Sequence, residues 1–320
     1  MVLEADVSGA SRICCGGEHV MTIKTVNDSP RFLDPAFMAR LDQLDLMSRK
    51  LLAGKMKGER RGKRRGHSVE FADYRNYVVG DDLRFIDWNV YARLERLFLK
   101  LFLEEEDLAL YVLVDVSKSC DYGQPNKAHY IKQVAAALGY IGLVNYNRVT
   151  LAAMSEGIVA ETGNLRGRRR VPQMIDFLTG LQPAGSSHFA EACKRFALSH
   201  RQKGVCVILS DFFDKGGYEN GLRYLCGGNY DLFAIQVLSP QEIDPDLQGD
   251  LKLKDLEDGD LTEVSITQPL IKQYKANLNA YCQGLKQYLS RRGANYLFTS
   301  TDLPFDTLVL NYLRERRLLG

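Results

Sequence analysis

A chain of 320 residues, 45% of them hydrophobic and 26% charged, has enough apolar surface for one large domain or two smaller ones. A net charge of only +2 leaves no global field to draw nucleic acid or an anionic membrane. Seven cysteines, an odd number with no CxxC pair, argue against a disulfide framework and for reduced thiols in a cytoplasmic protein.

Residues 1–30 lack the basic start and compact apolar block of a secretion signal and read as a disordered leader. No stretch approaches the ~20 apolar residues that span a bilayer. In residues 31–54, Phe37, Leu41, Leu44, Met47 and Leu51 fall at helical spacing, with Pro35 in the first turn and Gly54 at the end. Seven Lys or Arg then crowd Lys55–Arg65 among glycines. A polyanion-binding arm is one reading of that basic loop. A solvated loop is the better one, because no aromatics interleave to stack on bases. Residues 68–108 alternate charged and aromatic side chains, among them Asp81, Asp82, Arg84 and Asp87. Paired acids suggest acid–base chemistry. With no nucleophile or pocket nearby, acid–Arg pairs pinning an irregular segment against the main domain are the preferred reading. Residues 31–108 therefore form an N-terminal segment and 109–320 the main domain.

From residue 109 the pattern is regular. "LALYVLVD" predicts a buried strand, "NKAHYIKQVAAALGYIGLVNYN" a helix, and "RVTLAAMS" and "EGIVAET" a pair of strands. Two helices follow in "RRRVPQMIDFLTGL" and "SHFAEACKRFALSHR", then a strand in "GVCVILSD", a helix in "KGGYENGLRYLCGG" and a strand in "YDLFAIQVLS". A hairpin around Asp258-Gly259, a long helix in "PLIKQYKANLNAYCQGLKQYLSRRG", the strand "ANYLFTST" and a short helix from Phe305 complete the chain. Continuous apolar strands alternating with helices imply a doubly wound α/β fold, its mostly parallel sheet covered on both faces.

Ligands of such sheets bind beyond the carboxyl ends of the strands. Two predicted strands end there in acids, Asp115 and Asp211. Ser117 and Ser119 lie just past Asp115, and "PAGSSHF" supplies hydroxyls at Ser186 and Ser187. Two carboxylates with neutral hydroxyls make an all-oxygen shell suited to Mg²⁺ or Mn²⁺, under-neutralised and open to a further carboxylate from outside. Other chemistries fit less well. Ser117 lacks a partnered base and a nucleophile elbow, and no phosphate-binding glycine loop follows a strand. A phosphotransferase aspartate at a strand end brings a second acid where Ser117 stands. Taken alone, D-x-S-x-S is a helix cap; Ser187 and Asp211 are what tip it toward a metal.

D-x-S-x-S after the first strand, a hydroxyl in a Gly-rich turn and an Asp ending a later strand resemble the metal-ion-dependent adhesion site of von Willebrand factor A domains. Upstream, Glu70-Phe71, Arg75-x-Tyr77, Gly80-Asp81-Asp82-x-Arg84, Asp87-Trp88 and Ala92-Arg93 resemble the signature of the bacterial domain-of-unknown-function-58 family. That family joins such a segment to a von Willebrand A-like domain, and with "FDTLVLNYLRERR" the resemblance covers residues 31–320. It implies Asp115, Ser117 and Ser119 as the first metal loop, Asp211 as the acid of the later loop, and Ser187 at a position that is usually Thr. His188 stands where the family pattern has an acid. The resemblance further implies a non-enzymatic interaction module that holds Mg²⁺ or Mn²⁺ and captures an acidic side chain of a protein partner, working with a MoxR-type AAA+ ATPase in assembly or maturation of other proteins. The competing expectations are a metal-dependent phosphohydrolase using Asp115 and a polyanion-binding protein using Lys55–Arg65.

Overall fold

The two longest uninterrupted apolar runs lie side by side at the centre of a sheet. Strands β4 (Ala109–Asp115) and β7 (Gly204–Ser210) are buried at every residue and pair in parallel, Val114 opposite Leu209. The computed structural model describes residues 3–5, 32–44, 70–103, 108–246, 249–255, 261–313 and 318–319. The basic run Lys55–Arg65, the leader beyond residue 5 and the turn at Asp258-Gly259 lie outside them. The chain divides into two units, Leu51–Asp107 and the remainder.

In the larger unit six strands run in the order β11-β8-β7-β4-β5-β6. They are Asn295–Ser300, Tyr230–Leu238, β7, β4, Arg148–Met154 and Ile158–Glu161, all parallel except the last, which pairs antiparallel with β5. This is the expected doubly wound α/β fold. The helices in chain order are α1 (Pro35–Leu41), α3 (Lys127–Val144), α4 (Val171–Gly180), α5 (Phe189–Ser199), α6 (Glu219–Cys226), α7 (Pro240–Ile243), α8 (Gln268–Ser290) and α9 (Phe305–Thr307).

Helix α3 is the central buried helix, with Ile131, Val134, Ala135, Leu138 and Ile141 fully inside. Burial on several sides follows from its neighbours. Asp42, after α1, accepts from Tyr140 at 2.7 Å, and a Cβ on Gly139 would stand 2.4 Å from the Met174 sulfur of α4. The helix expected across 31–54 stops at Leu41, where Asp42 caps it, and Leu44 is buried beyond it. Strands β9 (Gly249–Asp255) and β10 (Leu261–Ile266) form the expected hairpin, and β1 (Leu3–Ala5) adds to β9 as a third antiparallel strand.

The smaller unit corrects the expectation of an irregular segment. Strands β2 (Glu70–Asn76) and β3 (Phe98–Leu103) pair antiparallel, with helix α2 (Trp88–Leu94) between them in sequence. Asp87 starts that helix by accepting from the amides of Asn89 and Val90, and it also accepts from the Tyr74 hydroxyl at 2.9 Å. Acid–Arg pairs do form, Arg75–Asp81 at 2.8 Å and Arg84–Asp82 at 2.6 Å, and both are local to this unit. The strands were hard to foresee because their partners lie more than twenty residues apart and neither shows clean alternation.

Candidate metal centre

The chain leaves β4 by α3 toward β5 on one side, and leaves β7 toward β8 on the other. The crevice between diverging connections therefore opens at the carboxyl ends of β4 and β7, the general ligand position of such sheets. Asp115 and Asp211 sit there, 3% and 2% exposed.

Asp115 is gripped at both oxygens. Oδ1 accepts from the Ser117 amide at 2.9 Å and the Ser117 hydroxyl at 2.7 Å. Oδ2 accepts from the Ser210 hydroxyl at 2.6 Å. Ser117 Oγ also lies 3.0 Å from Ser119 Oγ. Asp115 Oδ1, Ser117 Oγ and Ser119 Oγ thus form a chain of oxygens at 2.7 and 3.0 Å steps. Adjacent oxygens of an octahedral Mg²⁺ shell, with bonds of about 2.0–2.1 Å, stand about 3 Å apart. The donor set, carboxylate with neutral hydroxyls, fits a hard divalent cation. Among the described residues no cluster of three or more His, Cys, Asp or Glu is arranged to bind metal, so hydroxyls would carry much of this shell.

The loop that carries Ser187 is tied by its backbone to the loop after β4. The Ala184 amide donates to the Val116 carbonyl at 2.9 Å and the Lys118 amide to the Gly185 carbonyl at 3.1 Å. On the other side of Ser187, the His188 amide donates to the Ser155 carbonyl at 2.9 Å. Gly185 has φ +74°, and a Cβ there would meet Ser155 Oγ at 2.9 Å, so the turn needs glycine on both counts. Ser187 itself is half-buried. Beside this loop an open cleft of about 490 Å³ is lined by His188, Glu191, Lys194, Asp214, Arg223 and Tyr224.

Asp211 has a partner that the sequence reading missed. Its Oδ2 accepts from the Lys127 ammonium at 2.8 Å, and the same ammonium donates to Glu242 Oε1 at 2.7 Å. Lys127 is completely buried, and Glu242 is 7% exposed. Glu242 in turn closes a capping box at the start of α7, where its Oε2 accepts from the Ser239 amide at 2.8 Å. The other oxygen of Asp211 accepts from the Phe213 amide at 3.0 Å. Phe212 between them is buried at φ +62°, a left-handed backbone that a bulky residue rarely adopts, and its carbonyl accepts from Tyr281. The loop is held in one shape from several directions.

These contacts push the two acids apart electrically. Burial, then the negative charge of Asp211, raises the Asp115 carboxyl to about 6 against the pull of the Ser210 and Ser117 hydrogen bonds. Burial also opposes ionisation of Asp211, but the Lys127 charge and hydrogen bond, with the Phe213 amide, outweigh it and hold Asp211 below the ordinary carboxylate range. Burial disfavours the Lys127 ammonium too, and the charges of Asp211 and Glu242 outweigh that, raising its pKa. Asp115 is the electrically strained member, and a cation would relieve it.

Two signals for the missed residues were present. Lys127 opens a helix, where the macrodipole disfavours a cation, so a lysine there calls for nearby anions. Ser239-x-x-Glu242 carries the capping-box pattern. Ser210 had none beyond standing before Asp211.

A family model described as "Protein of unknown function DUF58" matches residues 73–284. An uncharacterized protein of Mycobacterium tuberculosis, Rv1480, is 27% identical over 290 residues, spanning 89% of this chain and 91% of its own length. Among solved structures, the conserved hypothetical protein BatB from Bacteroides thetaiotaomicron superposes with a TM-score of 0.44 at 13% identity, covering 65% of this chain and 98% of its own. The SpRpn10 VWA domain does so with a TM-score of 0.36 at 13% identity, covering 64% and 94%. By the extent of that family match, which takes in about two thirds of the chain, this chain belongs to the DUF58 family.

Proposed function

We propose that this DUF58 protein is a non-enzymatic, cytoplasmic interaction module that holds Mg²⁺ or Mn²⁺ at the β4–β7 crevice and uses it to capture an acidic side chain of a protein partner. The observation that carries the reading is the chain of three neighbouring oxygens Asp115–Ser117–Ser119 at the sheet's carboxyl edge, on a carboxylate that burial leaves in need of a cation. Asp115, Ser117, Ser119 and Ser187 would hold the ion. Asp211, tied to Lys127, would act through water. The bound cation supplies an electrophilic point at which an external carboxylate completes the shell. Arg223 in the adjoining cleft offers countercharge to the rest of an acidic segment, while Lys194 there pairs with Glu191 at 3.6 Å. A MoxR-type AAA+ ATPase is the partner class that the family resemblance suggests, in assembly or maturation of other proteins.

The phosphohydrolase reading has less support, because a phosphotransferase aspartate at a strand end brings a second acid two residues on, where Ser117 stands. Calorimetric titration with Mg²⁺ and Mn²⁺ tests the metal. Wild type should bind one ion, and Asp115→Ala should abolish the heat; unchanged binding in the variant refutes the site. A pull-down with and without chelator tests the partner: it should be lost with chelator.

A further inference from the structure

The buried Lys127–Asp211–Glu242 cluster lies outside the ligand set yet shares Asp211 with it. It is assembled from three separate chain positions: the first residue of α3, the loop after β7, and α7 after β8. A fixed ammonium is costly to bury, and a methionine in its place, with neutral partners, would hold these loops together at less electrostatic cost. Its charge therefore calls for a role besides packing.

The role follows from counting charge. Asp115, Asp211 and Glu242 carry three negative charges, and Lys127 carries one positive. With a divalent cation bound, the cluster is neutral, and Asp115 is the single anion facing the ion without a countercharge of its own. Without Lys127 the loaded cluster would be net negative. Asp211 would be free to turn to the ion, tightening metal binding while repelling an incoming carboxylate. With Glu242 neutral the loaded cluster would be net positive, with the opposite pair of effects.

Resting on the metal-site reading above, we infer that Lys127, buried between Asp211 and Glu242, is a positioning residue that withholds Asp211 from the bound cation and so preserves that cation's affinity for an external carboxylate. Metal affinity and carboxylate affinity are thereby set against each other by one internal ion pair.

The test uses the full chain at pH 7.5, Mn²⁺ as the metal and acetate as the carboxylate probe. Mn²⁺ affinity is read by calorimetry, and acetate binding by paramagnetic broadening of its methyl protons at the loaded site. In Lys127→Met, Mn²⁺ should bind roughly 100–300-fold tighter and acetate about 10–20-fold weaker, the effect of one unit charge on a divalent and on a monovalent ion at ~10 Å through an effective dielectric of about 20. In Glu242→Gln, which keeps the Lys127–Asp211 pair and the side-chain shape, both effects should reverse by a similar factor. This second variant decides the matter if Lys127→Met does not fold. Wild type binding both probes while Glu242→Gln leaves both unchanged, or weakens both together as a structural lesion would, overturns the role of Lys127 and leaves the metal site standing. Wild type that binds no Mn²⁺, or binds it without broadening acetate, overturns the underlying reading as well.

Discussion

Replacing Asp115 with Asn removes a charge that the metal-free fold holds at a cost. The carboxyl is fully enclosed, faces the negative Asp211, and is raised from 3.8 to about 6. An acid whose folded pKa is raised binds its proton more tightly folded than unfolded, so stability falls as pH rises through the window from about 4 to about 6. About two pKa units at 1.36 kcal/mol each make the loss on the order of 3 kcal/mol by neutral pH. Asp211 has the opposite sign: its pKa is lowered, so its contribution is complete above the unfolded carboxylate value and disappears only in stronger acid. Of the two acids only Asp115 acts above pH 4, and His129, lowered by burial, shifts stability the opposite way there but equally in wild type and variant. Asn keeps an acceptor for the Ser117 amide, and its NH₂ can donate to the Ser210 hydroxyl oxygen. Urea unfolding of both proteins in EDTA at pH 4.5 and 7.5 measures the effect. The variant should be the more stable by about 2–3 kcal/mol at pH 7.5, with the gap shrinking at pH 4.5. Saturating Mg²⁺ at pH 7.5 should raise the midpoint of wild type alone. Parallel pH dependence in the two proteins would refute the reasoning, because it would mean Asp115 is not burdened by its charge.

Three further outcomes follow from contacts elsewhere. Lys127→Met should cost about 3–5 kcal/mol in urea unfolding by stranding two buried carboxylates, and adding Glu242→Gln should recover part of the loss, a non-additivity that separates charge from packing. Gly204→Ala would place a Cβ 2.1 Å from the Ala109 carbonyl oxygen of the neighbouring strand, so a loss of about 3 kcal/mol is expected from the same assay; a loss under 0.5 kcal/mol would show the β4–β7 spacing to be looser than described. Asp87→Ala removes two capping bonds and the Tyr74 contact, which should cost the smaller unit about 1–2 kcal/mol. Hydrogen exchange should then quicken at the amides of Asn89 and Val90 and stay unchanged in β4 and β7.

The sheet was legible because its strands are written as unbroken apolar runs, each too short for a helix and each bounded by turn residues. "ALYVLVD" and "GVCVILS" became β4 and β7 almost residue for residue. The strand pair β5–β6 was equally readable, since both runs are short, apolar and close in sequence. What stayed hidden depends on distance in the chain. Lys127 and Asp211 are 84 residues apart, and Lys127 and Glu242 are 115 apart, so no local pattern could pair them. Ser210 looked like the last residue of a buried strand, and only the register of β4 against β7 turns its hydroxyl onto Asp115. The acids at the strand ends could be found from sequence; which of them is already neutralised could not. That difference changes the chemistry, because it leaves Asp115 as the acid that lacks an internal cation.

The most direct measurement is an anomalous diffraction map of crystals grown with Mn²⁺. One peak is expected at the carboxyl end of β4, at about 2.0–2.3 Å from the hydroxyls of Ser117 and Ser119 and close to Asp115 and Ser187, with Lys127 still on Asp211. A crevice without a peak at saturating Mn²⁺, or a peak elsewhere with Asp115 still bonded to Ser117 and Ser210, would contradict the assignment.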